Sequence, residues 1–181
     1  MENFVLVGIA GKAGSGKDTV ANHLKAHYGF GGLAFADPIR AGMKAIVGLK
    51  DENFQHPTKE VVLPEFGKSP RQMMQTLGTD WARELVHQDF WLILAGKKIE
   101  ELKAQGVNVA LTDVRFENEA AFVRNSGGVI WHVKRPGIGA VNAHKSEAGV
   151  EFVDGDVIID NSGSLQALYD NIDIFVTGVA V

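Results

Sequence analysis

Apolar runs and stretches of helical period alternate along the whole chain. Phe4-Val5-Leu6-Val7-Gly8-Ile9-Ala10 is apolar without a break, as expected of a strand buried on both faces. A glycine-rich turn follows, and then a helical stretch from about Lys17 to Tyr28 that stops at Gly29. Leu33-Ala34-Phe35-Ala36 predicts a second short strand. Asp37-Pro38 then reads as a cap and first helical residue, opening a helix to about Gly48. Residues 49–68 have no period and predict a long loop. Ser69-Pro70 repeats the helix-start signal. In the helix that follows, Met73, Leu77, Trp81 and Leu85 form one stripe, predicted to be core. Arg71, Gln75, Thr79 and Arg83 form a second stripe, predicted to lie roughly opposite. Gly78 in mid-helix costs about 1 kcal/mol relative to Ala, so it marks a ligand's close approach or a break in the helix.

A further helix spans Phe90 to about Ala104, with Trp91 in the core, and Gly106 ends it. Val107 to Asp113 is a buried strand ending in a carboxylate. Glu117 to Asn125 is a short helix, Val129 to Val133 a fourth strand and Asp156 to Asp160 a fifth. Ser164 can cap the last helix, Leu165 to about Phe175. Strands alternating with helices predict an α/β fold with a parallel sheet. The expected organisation is one domain, residues 1–181, with a helical insert at about 38–105 and a lid at about 135–150.

Composition narrows the class without choosing a function. A chain of 181 residues can bury roughly 70% of its unfolded surface without staples. It has no cysteine, which excludes disulfides and thiolate metal sites and suits a reducing cytosol. The net charge of −4, with no Lys/Arg run, argues against a nucleic-acid partner. No apolar run approaches a membrane span, and the first residues do not resemble a signal peptide.

The chemistry concentrates at Gly11-Lys12-Ala13-Gly14-Ser15-Gly16-Lys17-Asp18-Thr19. Strand, glycine-rich turn and helix with a lysine in its first turn make a phosphate-binding loop. Glycines let successive N–H groups point at one anion, and the helix aims its positive end at the same place. Asp18 stands where the usual magnesium-ligating hydroxyl would be, and the hydroxyl comes one residue later at Thr19. Lys, any residue, then Thr resembles nucleoside monophosphate kinases, where the Thr contacts the α-phosphate and waters hold much of the magnesium. The strand ending in Asp113 resembles a Walker B element, whose carboxylate holds magnesium. Asp37, at the end of a predicted strand, is either a helix cap or a site ligand. Arg115 suits a phosphate-bearing substrate or an ion pair with Asp113 or Glu117. Lys134-Arg135-Pro136-Gly137 opens a basic loop carrying His144, Lys145, Ser146 and Glu147, a plausible lid. His144 and Glu147 alone are too few for a zinc site.

Several motifs together resemble the deoxynucleoside monophosphate kinases of bacteriophages and prophages. They are Gly11 to Thr19, Phe35-Ala36-Asp37-Pro38, Ser69-Pro70-Arg71, Leu77-Gly78-Thr79-Asp80-Trp81, Asp113-Val114-Arg115-Phe116 with Asn118-Glu119-Ala120, and His144-Lys145-Ser146-Glu147. The resemblance implies a P-loop fold with sheet order 2-3-1-4-5. It implies transfer of the γ-phosphoryl of ATP to a dNMP, with Mg2+, in the cytoplasm, and it allows a homodimer. Asp156 to Asn161 followed by Gly163-Ser164 also looks like dephospho-coenzyme A kinases, where the Asn-containing turn lies against adenine. That leaves a kinase of another acceptor as the alternative, and a nucleotide-binding module without turnover as a third reading.

Under this resemblance, charge suggests the roles. The amides of residues 13 to 18 (Ala13, Gly14, Ser15, Gly16, Lys17 and Asp18) and the Lys17 ammonium hold the β- and γ-phosphates, beside Gly11. Thr19 holds the α-phosphate, and Asn161 and Gly163 lie at the base. Asp113, with Asp18 and Thr19, attends the metal. Arg71, Arg83 and Arg115, with Arg40 behind them, take the acceptor phosphate. Asp37 orients the acceptor, and Arg135 is the lid arginine.

Overall fold

The computed structural model describes residues 4–137 and 149–179. Its sheet has five parallel strands in the order β2-β3-β1-β4-β5. They are β1 (Leu6–Ala10), β2 (Gly31–Leu33), β3 (Val109–Val114), β4 (Val129–Lys134) and β5 (Val157–Asp160). The helices are α1 (Lys17–Tyr28), α2 (Asp37–Val47), α3 (Pro70–Gln75), α4 (Phe90–Ala104), α5 (Glu117–Asn125) and α6 (Leu165–Val179). The expected order of strands and their parallel sense are both observed.

The chain divides into two compact units, Met1–Ala34 with Ala95–Val181, and Phe35–Leu94. In the first unit all five residues of β1 are buried, as its unbroken apolar sequence requires. Val7 and Ile9 pack with Val20 and Leu24 of α1 and Leu168 and Ile172 of α6. Alternation along β4 sends Trp131 and Val133 into that same core. Ile130, between them, lies beside Val114 and Val123, on the face that α5 covers.

In the second unit, Ser69 caps α3 as expected. Its Oγ accepts from the Gln72 amide at 3.3 Å, and the Gln72 side chain accepts from the Ser69 amide at 2.9 Å. From Thr76 to Val86 the helix is π-helical. In a π-helix each N–H reaches back five residues, as in the His87 amide to the Ala82 carbonyl at 2.9 Å. A stripe drawn at four-residue spacing therefore loses phase. Trp81 and Leu85, expected in the core, are 43% and 79% exposed, while Gly78 and Ala82 are buried. The Arg71, Gln75, Thr79 and Arg83 line is half-buried rather than fully solvated. Gly78 is where the helix wall is thinnest: a Cβ there would meet Ile39 Cδ1 at 2.9 Å, and its carbonyl accepts from Trp91 Nε1 at 2.8 Å. Trp91 is buried, as expected.

Three other expectations need correction. β2 ends at Leu33, and Ala34 to Ala36 are not strand. Asp37 is the first residue of α2, not its cap. Ala36 occupies the cap position, and the Asp37 carboxylate accepts from Arg40 Nη1 at 2.9 Å. Residues 49–68 are not structureless: they hold two 3-10 turns, Asp51–Phe54 and Thr58–Glu60, and an antiparallel bridge from Leu63 to Lys68. Local chemistry (an Asn side chain on the Lys50 amide at 2.8 Å, short turns) replaces the periodicity that was missing.

Candidate active site

In the first unit the carboxyl ends of β1, β3, β4 and β5 carry the candidate residues, at the edge where open α/β sheets bind ligands. β1 runs into Gly11, and the loop delivers Gly16 as the left-handed cap of α1, with φ of +103°. No side chain among the described residues caps α1. The positive dipole end of α1 faces the loop, where it favours an anion. Two close approaches fix the loop. A Cβ on Gly11 would meet the Val133 carbonyl at 2.6 Å, and one on Gly16 would meet Asn161 Nδ2 at 2.5 Å. Asn161 Nδ2 donates to the Ser15 carbonyl at 2.8 Å, while the Asn161 amide donates to the Lys134 carbonyl at 2.8 Å. The turn after β5, where Gly163 also lies, is thereby stitched to the phosphate loop.

Lys17 Nζ donates to the carbonyls of Gly11 and Lys12 at 2.7 and 2.8 Å. The ammonium is folded over the loop. Asp18 is exposed at the first turn of α1, and Thr19 is half-buried. Ala13 and Gly14 are exposed in the loop. Ser15 Oγ is buried and, among the described residues, has no hydrogen-bond partner. Asp113 is half-buried at the penultimate position of β3, one residue short of the strand end expected for it.

A cavity of about 530 Å³ opens beside the loop, and Lys12, Ser15, Arg115, His132, Lys134 and Arg135 are among its lining residues. Two sequence-predicted site residues from distant segments, Arg115 and Arg135, thus meet at one cavity with Gly11 and Ser15 of the loop. Arg115 is set by α5: buried Glu119, 2% exposed, accepts from the amides of Arg115 and Phe116 at 2.7 and 3.1 Å. The cationic lining offers charge-assisted bonds to phosphate oxygens, about twice as strong as neutral ones.

Lys12, His132 and Lys134 were not anticipated at this cavity. Lys134 adjoins Arg135 in sequence, so the basic exit from β4 was a signal. His132 carried none, because its partners lie elsewhere in the chain. His132 Nε2 lies 2.9 Å from Asp156 Oδ2, and Arg124 Nη2 and Nε reach the same carboxylate at 2.6 and 3.1 Å. Burial pushes the Asp156 carboxyl up. The hydrogen bonds from Arg124, His132 and the Val153 amide outweigh that and hold it below the usual carboxylate range. The ionised group, 2% exposed, anchors the chain that returns to β5.

The second unit carries Asp37, Arg40, Arg71 and Arg83. Asp37 and Arg40 pair on α2, and Arg71 Nη1 bonds Glu60 Oε1 at 2.9 Å. Arg83 is half-buried on the π-helical stretch. His144, Lys145, Ser146 and Glu147 lie outside the described residues. Among the described residues, no group of three or more His, Asp or Glu side chains could cage a metal ion, and no helix is long and apolar enough to cross a membrane.

Solved structures share this fold. A dephospho-CoA kinase from Campylobacter jejuni superposes with a TM-score of 0.56 at 11% identity, covering 97% of this chain and 96% of that one. The protein TT1252 from Thermus thermophilus gives 0.54 at 17%, covering 98% of each chain. At such identities the likeness establishes the fold alone. Sequence relatives are more specific. A protein of Acanthamoeba polyphaga mimivirus, described as a candidate deoxynucleotide monophosphate kinase, is 31% identical over 93% of this chain and 94% of its own length. The deoxynucleotide monophosphate kinase of Escherichia phage RB69 is 33% identical over 58% of this chain, spanning 43% of the phage protein. The family model for deoxynucleotide monophosphate kinase matches residues 49–172. With that match and the mimivirus likeness over nearly its full length, the chain belongs to the deoxynucleotide monophosphate kinase family.

Proposed function

We propose that this protein transfers the γ-phosphoryl group of ATP to a deoxynucleoside monophosphate, giving the diphosphate and ADP. The observation that carries the reading is the cationic cavity of Lys12, Arg115, Lys134 and Arg135 beside the uncapped start of α1, in a chain of this family.

Phosphoryl transfer asks a protein to hold two anions in line and to neutralise developing charge. The amides of residues 13–18 and Lys17 take the β- and γ-phosphates, and Thr19 takes the α-phosphate. On binding, the Lys17 ammonium exchanges the Gly11 and Lys12 carbonyls for phosphate oxygens. Ser15 Oγ, buried at the cavity wall, adds a donor. Asn161 and Gly163 form the floor on which the nucleotide base rests. Arg115, Arg71 and Arg83 take the acceptor phosphate, Asp37 orients the acceptor, and Arg135 covers the reacting groups against water.

Mg2+ fits the donor set. It favours one or two carboxylates plus substrate phosphates and waters over an all-protein cage, and Asp113, Asp18 and Thr19 offer that kind of set. When bound, the ion supplies charge neutralisation at the phosphate oxygens. The acceptor is a free nucleotide, with no nucleic acid or membrane involved. The enzyme acts in the cytoplasm, that of the host if a virus encodes it, alone or as a homodimer.

The test is ADP release coupled to NADH oxidation, with dTMP, dGMP, dAMP, dCMP and dephospho-coenzyme A as acceptors. ADP formation that requires at least one dNMP is expected. Turnover confined to dephospho-coenzyme A, or independent of any acceptor, overturns the reading.

A further inference from the structure

We propose that Glu60 is a positioning residue for the acceptor nucleotide, acting through Arg71. The proposal rests on the reading of Arg71 as a ligand of the acceptor phosphate.

The segment 49–68 buries Leu49 and half-buries Phe54 and Leu63, but leaves other apolar side chains in solvent. Val61, Val62 and Phe66 are all about half exposed, and both 3-10 turns are without buried residues. Yet the segment is fastened along its length. The Asn53 amide donates to the Lys50 carbonyl at 3.0 Å, the Lys59 amide to Gln55 at 2.8 Å, the Glu60 amide to Pro57 at 3.0 Å and the Leu63 amide to Lys68 at 3.0 Å. Fastened in this way, the turns give the side chains they carry a fixed base. Side-chain ion pairs tie the segment to the rest of its unit. Lys44 of α2 pairs with Asp51, and Arg71 Nη1 pairs with Glu60 Oε1 at 2.9 Å.

The second pair is the informative one. Arg71 stands in the first turn of α3, just after the Ser69 cap, so its backbone is fixed. Its long side chain is not fixed by that. A guanidinium recognises phosphate through a planar fork, and binding is weakened by every rotamer that must be frozen. Glu60 holds one nitrogen of the fork from a rigid turn and spares that entropy. On this view, the Thr58–Glu60 turn aims Arg71.

The test is a double-mutant cycle on steady-state kinetics, using the dNMP turned over fastest in the acceptor panel. Glu60→Ala is expected to raise KM for the dNMP roughly 3- to 5-fold, as a half-exposed pair allows, with KM for ATP unchanged. Glu60→Gln, which retains an acceptor oxygen, should recover part of the loss. In an Arg71→Ala background, Glu60→Ala should add nothing. An equal effect of Glu60→Ala with and without Arg71, or an unchanged KM for the dNMP, overturns the proposal. An Arg71→Ala protein with normal KM for every dNMP overturns instead the role given to Arg71. Thermal midpoints within a degree or two of wild type show that each variant is folded.

Discussion

Asn161 Nδ2 donates to the Ser15 carbonyl across 146 positions of sequence, at 2.8 Å. The bond presses the turn after β5 against the phosphate loop at Gly16, where no side chain keeps it away. Gly16→Ala would place a Cβ 2.5 Å from that nitrogen, at a φ of +103° that L residues rarely adopt. We expect Gly16→Ala to raise the Kd for an ATP analogue at least ~10-fold, with the left-handed strain alone costing about 1–2 kcal/mol. Asn161→Ala should raise it less, by about 5-fold, through loss of one bond. Equilibrium titration with an ATP analogue measures both, and unaltered affinity in the glycine variant would contradict this account.

Lys17 supplies the mobile cation of the loop. Lys17→Ala removes charge-assisted bonds worth about 1.5–3 kcal/mol each, and each 1.36 kcal/mol is tenfold in rate. A fall in kcat/KM of at least ~10-fold, and up to ~100-fold or more, is expected. Circular dichroism should be unchanged, because the ammonium's recorded partners are loop carbonyls near the surface. A folded Lys17→Ala protein with near-normal turnover would end the phosphate-loop assignment.

Asp156 makes stability depend on pH. Its carboxyl is held below the ordinary range in the folded protein, so its stabilisation is present above the unfolded value and is lost as pH falls through the folded one. Asp173 adds to the same slope. Its carboxyl is lowered by hydrogen bonds from His23, at 2.7 Å, and Tyr28, at 2.8 Å. Asp156→Asn removes the carboxylate charge that Arg124 bonds, leaving the more distant attraction of Glu117, and removing one partner of a buried pair costs up to about 3–5 kcal/mol. Urea midpoints should differ most near neutral pH and converge below about pH 4. A constant gap down to pH 3 would assign the loss to packing instead of charge.

Trp91 ties α4 to the π-helical stretch. Trp91→Phe keeps an aromatic ring in the buried site, though a smaller one, and deletes the donor to the Gly78 carbonyl. An unsatisfied buried carbonyl costs about 1–3 kcal/mol. At roughly 2–4 °C per kcal/mol for a chain of this size, the melting temperature should drop by about 2–12 °C. No change would mean that the carbonyl finds another donor.

Sequence by itself determined what depends on neighbours along the chain. The phosphate loop, its glycines and Lys17 declared themselves because strand, turn and helix follow one another within about twenty residues. So did the Ser69 cap and the alternation of strands with helices. The order 2-3-1-4-5 came from family resemblance, since nothing in a single strand's residues says which strand lies beside it. Tertiary structure alone decided the rest. The π-helix takes Trp81 out of the buried line and puts Gly78 and Ala82 into it, with Ile39 and Trp91 packed against Gly78. Arg115 and Arg135 share a cavity, His132 meets Asp156, and Glu60 reaches Arg71. Each of these pairings joins side chains whose approach is fixed by crossover connections and turns. No period or spacing in the sequence records such a distance, so the chain names its chemical groups while the fold selects their partners.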